Sequence, residues 1–217
     1  IVDIAGLVKG ASKGEGLGNK FLDNIRNTNA IIHVLRCFDN GNVVHVEGAV
    51  DPVRDKEIID TELQMKDLAT VENRLSREEK KAACGGDAMA KRMVEVLHMY
   101  RDALLRGESA RTVELDELQL ESVKDVHLLT TKPVLYVCNV DEGSVVNGNK
   151  YVDAVREAVK NEKAEVLVIG AAIEADISEL ETYEEKQMFL EDLGLTEPGV
   201  SKLIRAAYHL LDLQTYF

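Results

Sequence analysis

The stretch Val-Asp-Ile-Ala-Gly-Leu-Val-Lys-Gly-Ala-Ser-Lys-Gly-Glu-Gly-Leu-Gly-Asn, residues 2–19, joins a short apolar segment to a loop with five glycines. So many glycines exclude a helix, and the apolar residues Ile1, Val2 and Ile4 predict the end of a buried strand. The strand end has the form DxxG, which is made by Asp3, Ile4, Ala5 and Gly6. An Asp at such a place can hold Mg²⁺, and a Gly three residues later lets its backbone N–H approach a phosphate. The stretch therefore predicts a strand followed by a phosphate-contacting loop.

Further along the chain, strand-like and helix-like patterns alternate, which is typical of an α/β fold. Nearly continuous apolar runs predict buried parallel strands at residues 30–37, 134–138 and 166–169. Helical periodicity predicts helices at residues 19–27, 151–160 and 198–211, the last with Ile204, Tyr208 and Leu211 on one face. Thr182 and Glu185 predict a capping box for one more helix, which Gly194 ends.

Residues 53–106 interrupt this alternation with two helical patterns on either side of Gly85-Gly86. The apolar residues recur at helical spacing: Ile58, Met65, Leu68 and Leu75, then Met89, Met93, Leu97, Tyr100 and Leu104. Because polar sequence at 106–126 follows instead of another strand, we predict a projecting α-helical coiled-coil hairpin inserted into the sheet domain. The alternative is a pair of core helices in a compact domain.

Two further strand ends have distinctive residues, and ligands of an open α/β sheet bind beyond the carboxyl ends of its strands. Asn139-Val140-Asp141-Glu142 stands where P-loop GTPases have NKxD, whose Asp accepts hydrogen bonds from guanine. The longer Glu142 is expected to relax this selectivity and to admit adenine, while Asn139 can contact the base or brace a loop. Gly170-Ala171-Ala172 stands where a small-residue loop presents N–H groups to the base. The alternative for residues 139–142 is a plain polar turn.

Taken together, these motifs resemble the YchF, or Obg-like ATPase, family of P-loop GTPases. Residues 2–19 resemble the family's switch II, residues 139–142 its NxxE replacement of NKxD, and residues 210–217 the start of its C-terminal TGS domain. The resemblance implies a mostly parallel P-loop NTPase G-domain sheet, incomplete here, with the inserted helical hairpin. It also implies hydrolysis of ATP or GTP with Mg²⁺, and association with the ribosome.

The resemblance further implies a role for individual residues. Asp3 is the expected metal ligand and Gly6 the expected γ-phosphate sensor. Leu7 stands where many GTPases have the Gln that orients the attacking water, a task that a Leu cannot perform. The implied nucleotide-binding residues are Asp3, Ile4, Ala5, Gly6, Leu7, Phe38, Asn139, Val140, Asp141, Glu142, Ile169, Gly170 and Ala171. The family often has Ser or Cys where Gly170 stands, so only backbone contacts are expected there.

His45 is the second candidate catalytic residue beside Leu7. It follows the strand at 30–37 in a loop rich in Gly and Asn, and an imidazole over the phosphates can orient water or act as a base. The alternative is an ordinary histidine of a surface loop.

The sequence contains no GxxxxGK[ST] phosphate-binding loop and opens inside a strand without Met. We therefore expect the P-loop to precede residue 1 in a longer protein, and the present segment alone to bind nucleotide poorly. A Rossmann-type dehydrogenase is disfavoured, since no GxGxxG follows a strand. The predicted domains are a first part of the G domain at 1–52, the hairpin at 53–126, a second part of the G domain at 127–205 and the start of the TGS domain at 206–217.

The composition limits the partners of the chain. A net charge of −13 argues against a protein whose whole surface binds nucleic acid, but it is compatible with a local basic patch. Three widely spaced cysteines indicate a reducing compartment, and no apolar stretch is long enough for a membrane span. We expect a cytoplasmic monomer with no membrane partner. Two hypotheses stay open: a nucleotide-hydrolysing switch that associates with the ribosome, and a non-catalytic binding module that nucleotide stabilises.

Overall fold

A computed structural model describes residues 1–4, 22, 24–40, 49–83, 85, 88–162 and 164–214 of the 217-residue chain. Its contacts divide the chain into two compact units. The first, called the helical unit below, comprises Ile1–Asn29 and Glu57–Lys132. The second, called the sheet unit, comprises Ala30–Lys56 and Pro133–Phe217. The predicted domain boundaries lie close to some of these limits, and the assignment to G and TGS domains stays a prediction.

The sheet unit is built on three parallel strands, β1 (Ile31–Arg36), β2 (Val134–Asn139) and β3 (Glu165–Ile169), in the order β1-β2-β3. Each of them matches a strand that the sequence predicts. The register places Arg36 beside Asn139, and Asn139 beside Ile169, so the three carboxyl ends are level. The predicted parallel α/β sheet is thus confirmed.

The helices whose bounds lie in the described part of the chain are α1 (Pro52–Ala83), α2 (Ala88–Leu105), α3 (Glu117–Ser122), α4 (Lys150–Val159), α5 (Ala171–Glu179), α6 (Tyr183–Asp192) and α7 (Gly199–Leu210), with 3₁₀ turns at Ala110–Thr112 and Glu142–Ser144. Among the described residues, no helix is both long and apolar enough to cross a lipid bilayer.

The sheet is covered on both faces, because successive side chains of a strand point to opposite sides. On one face, Tyr136 and Cys138 pack with Val152 and Val155 of α4. On the other, Leu135 and Val137 pack with Ala206 of α7. This arrangement explains why the sequence of β2 is apolar at nearly every position.

A buried ion pair closes the first of these faces. Lys56, 6% exposed, places its Nζ 2.6 Å from Glu162 Oε1 and 5.4 Å from the centre of the Tyr136 ring. The Tyr136 hydroxyl donates to the other carboxylate oxygen of Glu162 at 2.8 Å. The charges of Lys56 and Glu162 therefore compensate each other inside the sheet unit.

Two local predictions need correction. Residues 1–4 form no strand, because no partner strand pairs with them in the described part of the chain. Ala171 opens helix α5 rather than continuing a loop. The predicted last helix is present as α7. Its face with Ile204 and Tyr208 is exposed at 48% and 45%, because the helix turns Ala206 towards the sheet.

In the helical unit, α1 and α2 form an antiparallel pair. Gln64 bonds the carbonyl of Gly107 at 3.0 Å and Glu79 approaches His98 at 3.1 Å, so the contacts run in opposite directions along the two helices. Gly85 lies between the helices at φ +90°, a conformation that favours glycine. The predicted two-helix hairpin is confirmed.

The part of the hairpin around Leu75, Leu97 and Tyr100 shares its hydrophobic core with the segment at 110–128, which follows the hairpin. Leu75, Leu97 and Tyr100 are buried together with Ala110, Val123 and Leu128. The polar residues 106–126 therefore pack on the hairpin instead of leaving it bare. This part of the molecule matches the alternative of core helices in a compact unit.

Asp67 of α1 is the buried carboxylate that joins the hairpin to its return segment. It is 0% exposed and accepts hydrogen bonds from Leu129 N at 2.8 Å, from Thr130 N at 2.7 Å and from Thr130 Oγ1 at 2.7 Å. Burial raises the pKa of Asp67, although these hydrogen bonds oppose the rise. The return segment is fixed by one side chain of α1.

Replacing this carboxylate is expected to destabilise the helical unit. Asp67→Ala leaves three buried donors without an acceptor, so the free energy of unfolding should fall by about 2–5 kcal/mol. Urea denaturation at pH 7 measures the loss. Glu72→Ala, an exposed substitution on the same helix, is the control and should change stability by about 0.5 kcal/mol or less.

The pH dependence of the same variant tests the raised pKa. The native state binds the Asp67 proton more tightly than the unfolded state does. This contribution to stability is therefore full below the unfolded pKa and is lost as the pH rises through the folded pKa. The cost of Asp67→Ala should accordingly grow as the pH falls from 7 to about 4. A cost that is constant over this range would show that the pKa is not raised.

Candidate functional site

The candidate site lies at the level carboxyl ends of β1, β2 and β3. Backbone hydrogen bonds continue past the strand ends and join the three loops. Cys37 N donates to Asn139 O at 2.8 Å, and Val140 N donates to Ile169 O at 2.9 Å. The segments 37–40, 139–142 and 169–171 therefore form one edge of the sheet unit, here called the loop edge.

Asn139 is the side chain that ties two of these segments together. Its Oδ1 accepts a hydrogen bond from the backbone N–H of Ala171 at 3.0 Å. Because that partner is a donor, the amide nitrogen Nδ2 must point away from it. Nδ2 makes no hydrogen bond within the described residues, so it is available to donate to a ligand. Asn139 can therefore brace a loop and contact a base edge at the same time.

The loop after β1 is held by helix α4. Asn149, the N-cap of α4, accepts from Tyr151 N and Val152 N, and its Nδ2 donates to the carbonyl of Cys37 at 2.8 Å. The Tyr151 hydroxyl lies 2.8 Å from both carboxylate oxygens of Asp39, and this carboxylate raises the pKa of Tyr151. Phe38 is thus flanked on both sides by anchored residues.

The ring of Phe38 has a cationic neighbour. The Arg36 guanidinium carbon lies 4.9 Å from the ring centre, and its Nε donates to the Phe38 carbonyl at 3.2 Å. An aromatic ring held in this way offers a flat apolar face to a ligand.

The middle segment of the loop edge combines one buried and two exposed residues. Val140 is 3% exposed, whereas Asp141 and Glu142 are exposed. Asp141 precedes the 3₁₀ turn Glu142–Ser144. The backbone hydrogen bonds of this turn fix the main chain at Glu142, just beyond the end of β2. This segment presents its carboxylates to solvent at the loop edge.

The third segment presents the N-terminus of α5. Gly170 precedes the helix, and a Cβ at this position would lie 3.0 Å from Ile173 Cδ1. The absence of a side chain at Gly170 therefore allows the Ile173 side chain to pack closely against the backbone. The first turn of a helix has N–H groups without intrahelical partners, and Asn139 satisfies that of Ala171. Such a terminus favours electronegative ligand atoms.

A pair of free cysteines lies beneath the loops. Cys37 and Cys138 are both fully buried. The Cys37 thiol donates a hydrogen bond to Cys138. This bond, together with burial, raises the pKa of Cys37, whereas the same bond lowers the pKa of Cys138. Cys37 therefore stays neutral near pH 7, and both residues belong to the apolar core under the site.

The loop edge brings together eight of the predicted site residues: Phe38, Asn139, Val140, Asp141, Glu142, Ile169, Gly170 and Ala171. Ala5, Gly6, Leu7 and His45 lie outside the described residues. Asp3 is exposed and Ile4 half-buried, and both belong to the helical unit. Their convergence with the loop edge stays a prediction.

Sequence reasoning missed the anchors Asn149, Tyr151 and Asp39. The signal for Asn149 was present, because an Asn directly before an amphipathic run is a typical N-cap. The hydrogen bond from the Tyr151 hydroxyl to Asp39 joins residues 112 positions apart, so no local sequence pattern indicates it.

A solved structure shares this fold. The structure of the Schizosaccharomyces pombe YchF GTPase matches with a TM-score of 0.79 at 29% identity, covering 94% of this chain and 56% of that chain. The sheet unit and the inserted helices are therefore part of a P-loop NTPase fold.

Curated relatives are similar to the chain along its whole length. The chain is 52% identical to the ribosome-binding ATPase YchF of Bacillus subtilis over 217 residues. It is 51% identical to the ribosome-binding ATPase YchF of Haemophilus ducreyi and 50% identical to that of Escherichia coli O157:H7, each over 216 residues. It spans 59% of the length of each of these proteins, and no family model matches it. Over its whole length the chain is thus similar to proteins of the YchF family.

The anchoring role of Asn149 makes a stability prediction. Asn149→Ala removes the N-cap of α4 and the bond to the Cys37 carbonyl, so the free energy of unfolding should fall by about 2 kcal/mol. Chemical denaturation measures the change. Asn147→Ala, an exposed asparagine two residues earlier, should have no comparable effect. An equal effect of the two substitutions would contradict the role of Asn149 as an anchor.

Proposed function

We propose that the protein containing this chain is an ATPase, with GTP as a second substrate, whose bound nucleotide controls its association with the ribosome. The observation that supports the proposal best is the hydrogen bond that the Ala171 backbone N–H donates to Asn139 Oδ1. It aligns the two segments that should surround a purine base and leaves the Asn139 Nδ2 group free to donate to that base. The names of the relatives, ribosome-binding ATPase and GTPase, agree with this function.

Base recognition falls to the loop edge. Phe38 provides an apolar face, Asn139 a donor and Glu142 a carboxylate that a base amine can approach. A Glu is longer than the Asp of NKxD and cannot take the same bidentate position towards guanine, so adenine is favoured. Ile169, Gly170 and Ala171 contribute backbone contacts.

The phosphates and Mg²⁺ fall to residues 3–7 in this proposal. Asp3 has an exposed carboxylate, which suits an ion that keeps several waters and uses one or two carboxylates besides phosphate oxygens. When bound, Mg²⁺ neutralises charge on the phosphates. In this proposal Gly6 places its backbone N–H at the γ-phosphate. Ile4 and Ala5, which precede Gly6, also contact the nucleotide.

Hydrolysis needs a group that orients water, since Leu7 cannot hydrogen-bond. We assign this task to His45. The protein would contribute positioning and charge stabilisation, without a covalent intermediate. The proposal includes a monomer in the cytoplasm, a G domain divided by the hairpin, and a TGS domain that starts near residue 206.

The role of Glu142 can be tested by shortening its side chain. Glu142→Asp in the full-length protein should shift the ratio of ATP to GTP affinity towards GTP by about tenfold, equivalent to about 1.4 kcal/mol. Titration with fluorescent nucleotides measures both affinities. Glu184→Asp, an exposed position of α6, is the matched control. An unchanged ratio would exclude Glu142 from base recognition.

The role of His45 can be tested by single-turnover hydrolysis. His45→Ala in the full-length protein should lower the rate constant by about 100-fold or more while ATP affinity changes little, because the imidazole acts on water and not on binding. His209→Ala, an exposed histidine of α7, should hydrolyse normally. Tight ATP binding without any phosphate release by the unmodified protein would instead support the non-catalytic module.

A further inference from the structure

The positive charges of the hairpin divide into two groups. One group pairs with carboxylates: Arg101 with Asp102 and Arg106 with Glu108 towards the base, and nearer the turn Lys81 with Glu78 and Arg74 with Glu78 and Asp125. Near the turn, four cations make no ion pair or hydrogen bond within the described residues. These hairpin-tip cations are Arg77, Lys80, Lys91 and Arg92. Unpaired positive charge is therefore concentrated at the distal end of the hairpin.

The sequence there also differs in charge from the rest of the chain. Residues 74–92 contain six basic residues and three acidic ones, a net charge of +3, whereas the whole chain has −13. Arg77, Lys80 and Lys91 are exposed and Arg92 is half-buried. Because exposed charges act over only about 10 Å at moderate salt, the local excess sets the potential at the tip.

Helix stability does not explain the placement of two of these cations. Lys91 lies in the first turn of α2, where the helix dipole disfavours positive charge, and Arg92 follows it directly. The first turn of α2 has no acidic residue to compensate them. Lys80, in the last turn of α1, is favourably placed for its own helix.

A shallow pocket adjoins the tip on α1. It has a volume of about 290 Å³ and is lined by Thr70, Asn73, Arg74, Arg77, Asp125, Val126 and His127. Arg77 belongs to both the pocket and the tip. The Asn73 amide makes no hydrogen bond within the described residues, so it can donate to a phosphate or ribose oxygen beside Arg77.

We propose that the hairpin tip and this pocket bind the phosphodiester backbone of RNA, and that this is the surface through which the protein contacts the ribosome. The second part rests on the proposed function. Arg77, Lys80, Lys91 and Arg92 contact phosphates, and Asn73 contacts an adjoining sugar or phosphate. Such contacts position a protein on nucleic acid without reading its sequence.

The chemistry of the tip favours a polyanion over an acidic protein. Residues 77–92 include no Phe, Tyr or Trp, so the tip lacks the aromatic anchors that carry much of the binding energy of protein interfaces. Free ammonium and guanidinium groups at an exposed end instead gain affinity by displacing counterions from nucleic acid.

The test compares two fourfold variants of the full-length protein that change the net charge equally. One removes the hairpin-tip cations as R77Q, K80Q, K91Q and R92Q. The control removes four cations that each pair with a carboxylate, as R101Q, R106Q, K124Q and K160Q. Binding to salt-washed ribosomes and to deproteinised ribosomal RNA is measured between 50 and 200 mM salt, about the range over which such contacts weaken. Circular dichroism and ATP hydrolysis verify folding.

The tip variant should bind RNA and ribosomes at least about tenfold more weakly near 0.1 M salt, and its salt slope should fall by about 3. The control should bind like the unmodified protein. Equal RNA binding by the two variants would overturn the proposal, and so would a loss of ribosome binding alone, which would indicate a ribosomal protein partner. Equal competition by duplex DNA would overturn the assignment to RNA. If the unmodified protein binds RNA through the tip but does not bind ribosomes, the RNA surface stands and the proposed ribosomal function fails.

Discussion

The hydrogen bonding of β2 on both of its edges is the constraint on which the sheet unit depends. Its partners β1 and β3 are held in a register that levels Arg36, Asn139 and Ile169. The strand is also covered on both faces, by α4 and by α7. A shift of one residue would exchange the two faces and move Asn139 out of reach of Ala171. The positions of the loop-edge residues are therefore set by the strand register and the packed core, rather than by the loops themselves.

The elements that sequence could predict are those in which one local signal dominates. The apolar runs of the three strands, the capping box of Thr182 and Glu185, and the turn at Gly194 all appear in the structure. The buried face of α7 could not be predicted, because its apolar residues cover a wide part of the helix surface and only the sheet decides which of them it contacts. For the same reason, the periodicity of α1 did not reveal Asp67, a charged residue in the core.

The candidate site was predictable in its list of residues and not in its construction. Strand ends and short motifs indicate which side chains reach the loop edge. They do not indicate the cross-links that hold it, since Asn149 and Tyr151 contact residues 112 positions away. Asn139 illustrates the difference: its motif suggested either a base contact or a brace. The geometry leaves one end of the amide for each.

The placement of charge follows one physical rule in both units. Where a charge is buried, several groups satisfy it: Glu162 by Lys56 and Tyr136, and Asp67 by three donors. Such charges act as cross-links, since removing one partner leaves the others uncompensated. Where charges are exposed, pairing gains little free energy, so the hairpin-tip cations lose little stability by having no partner within the described residues. Because salt screens the acidic residues beyond about 10 Å, a chain with a large negative charge can still present a cationic end.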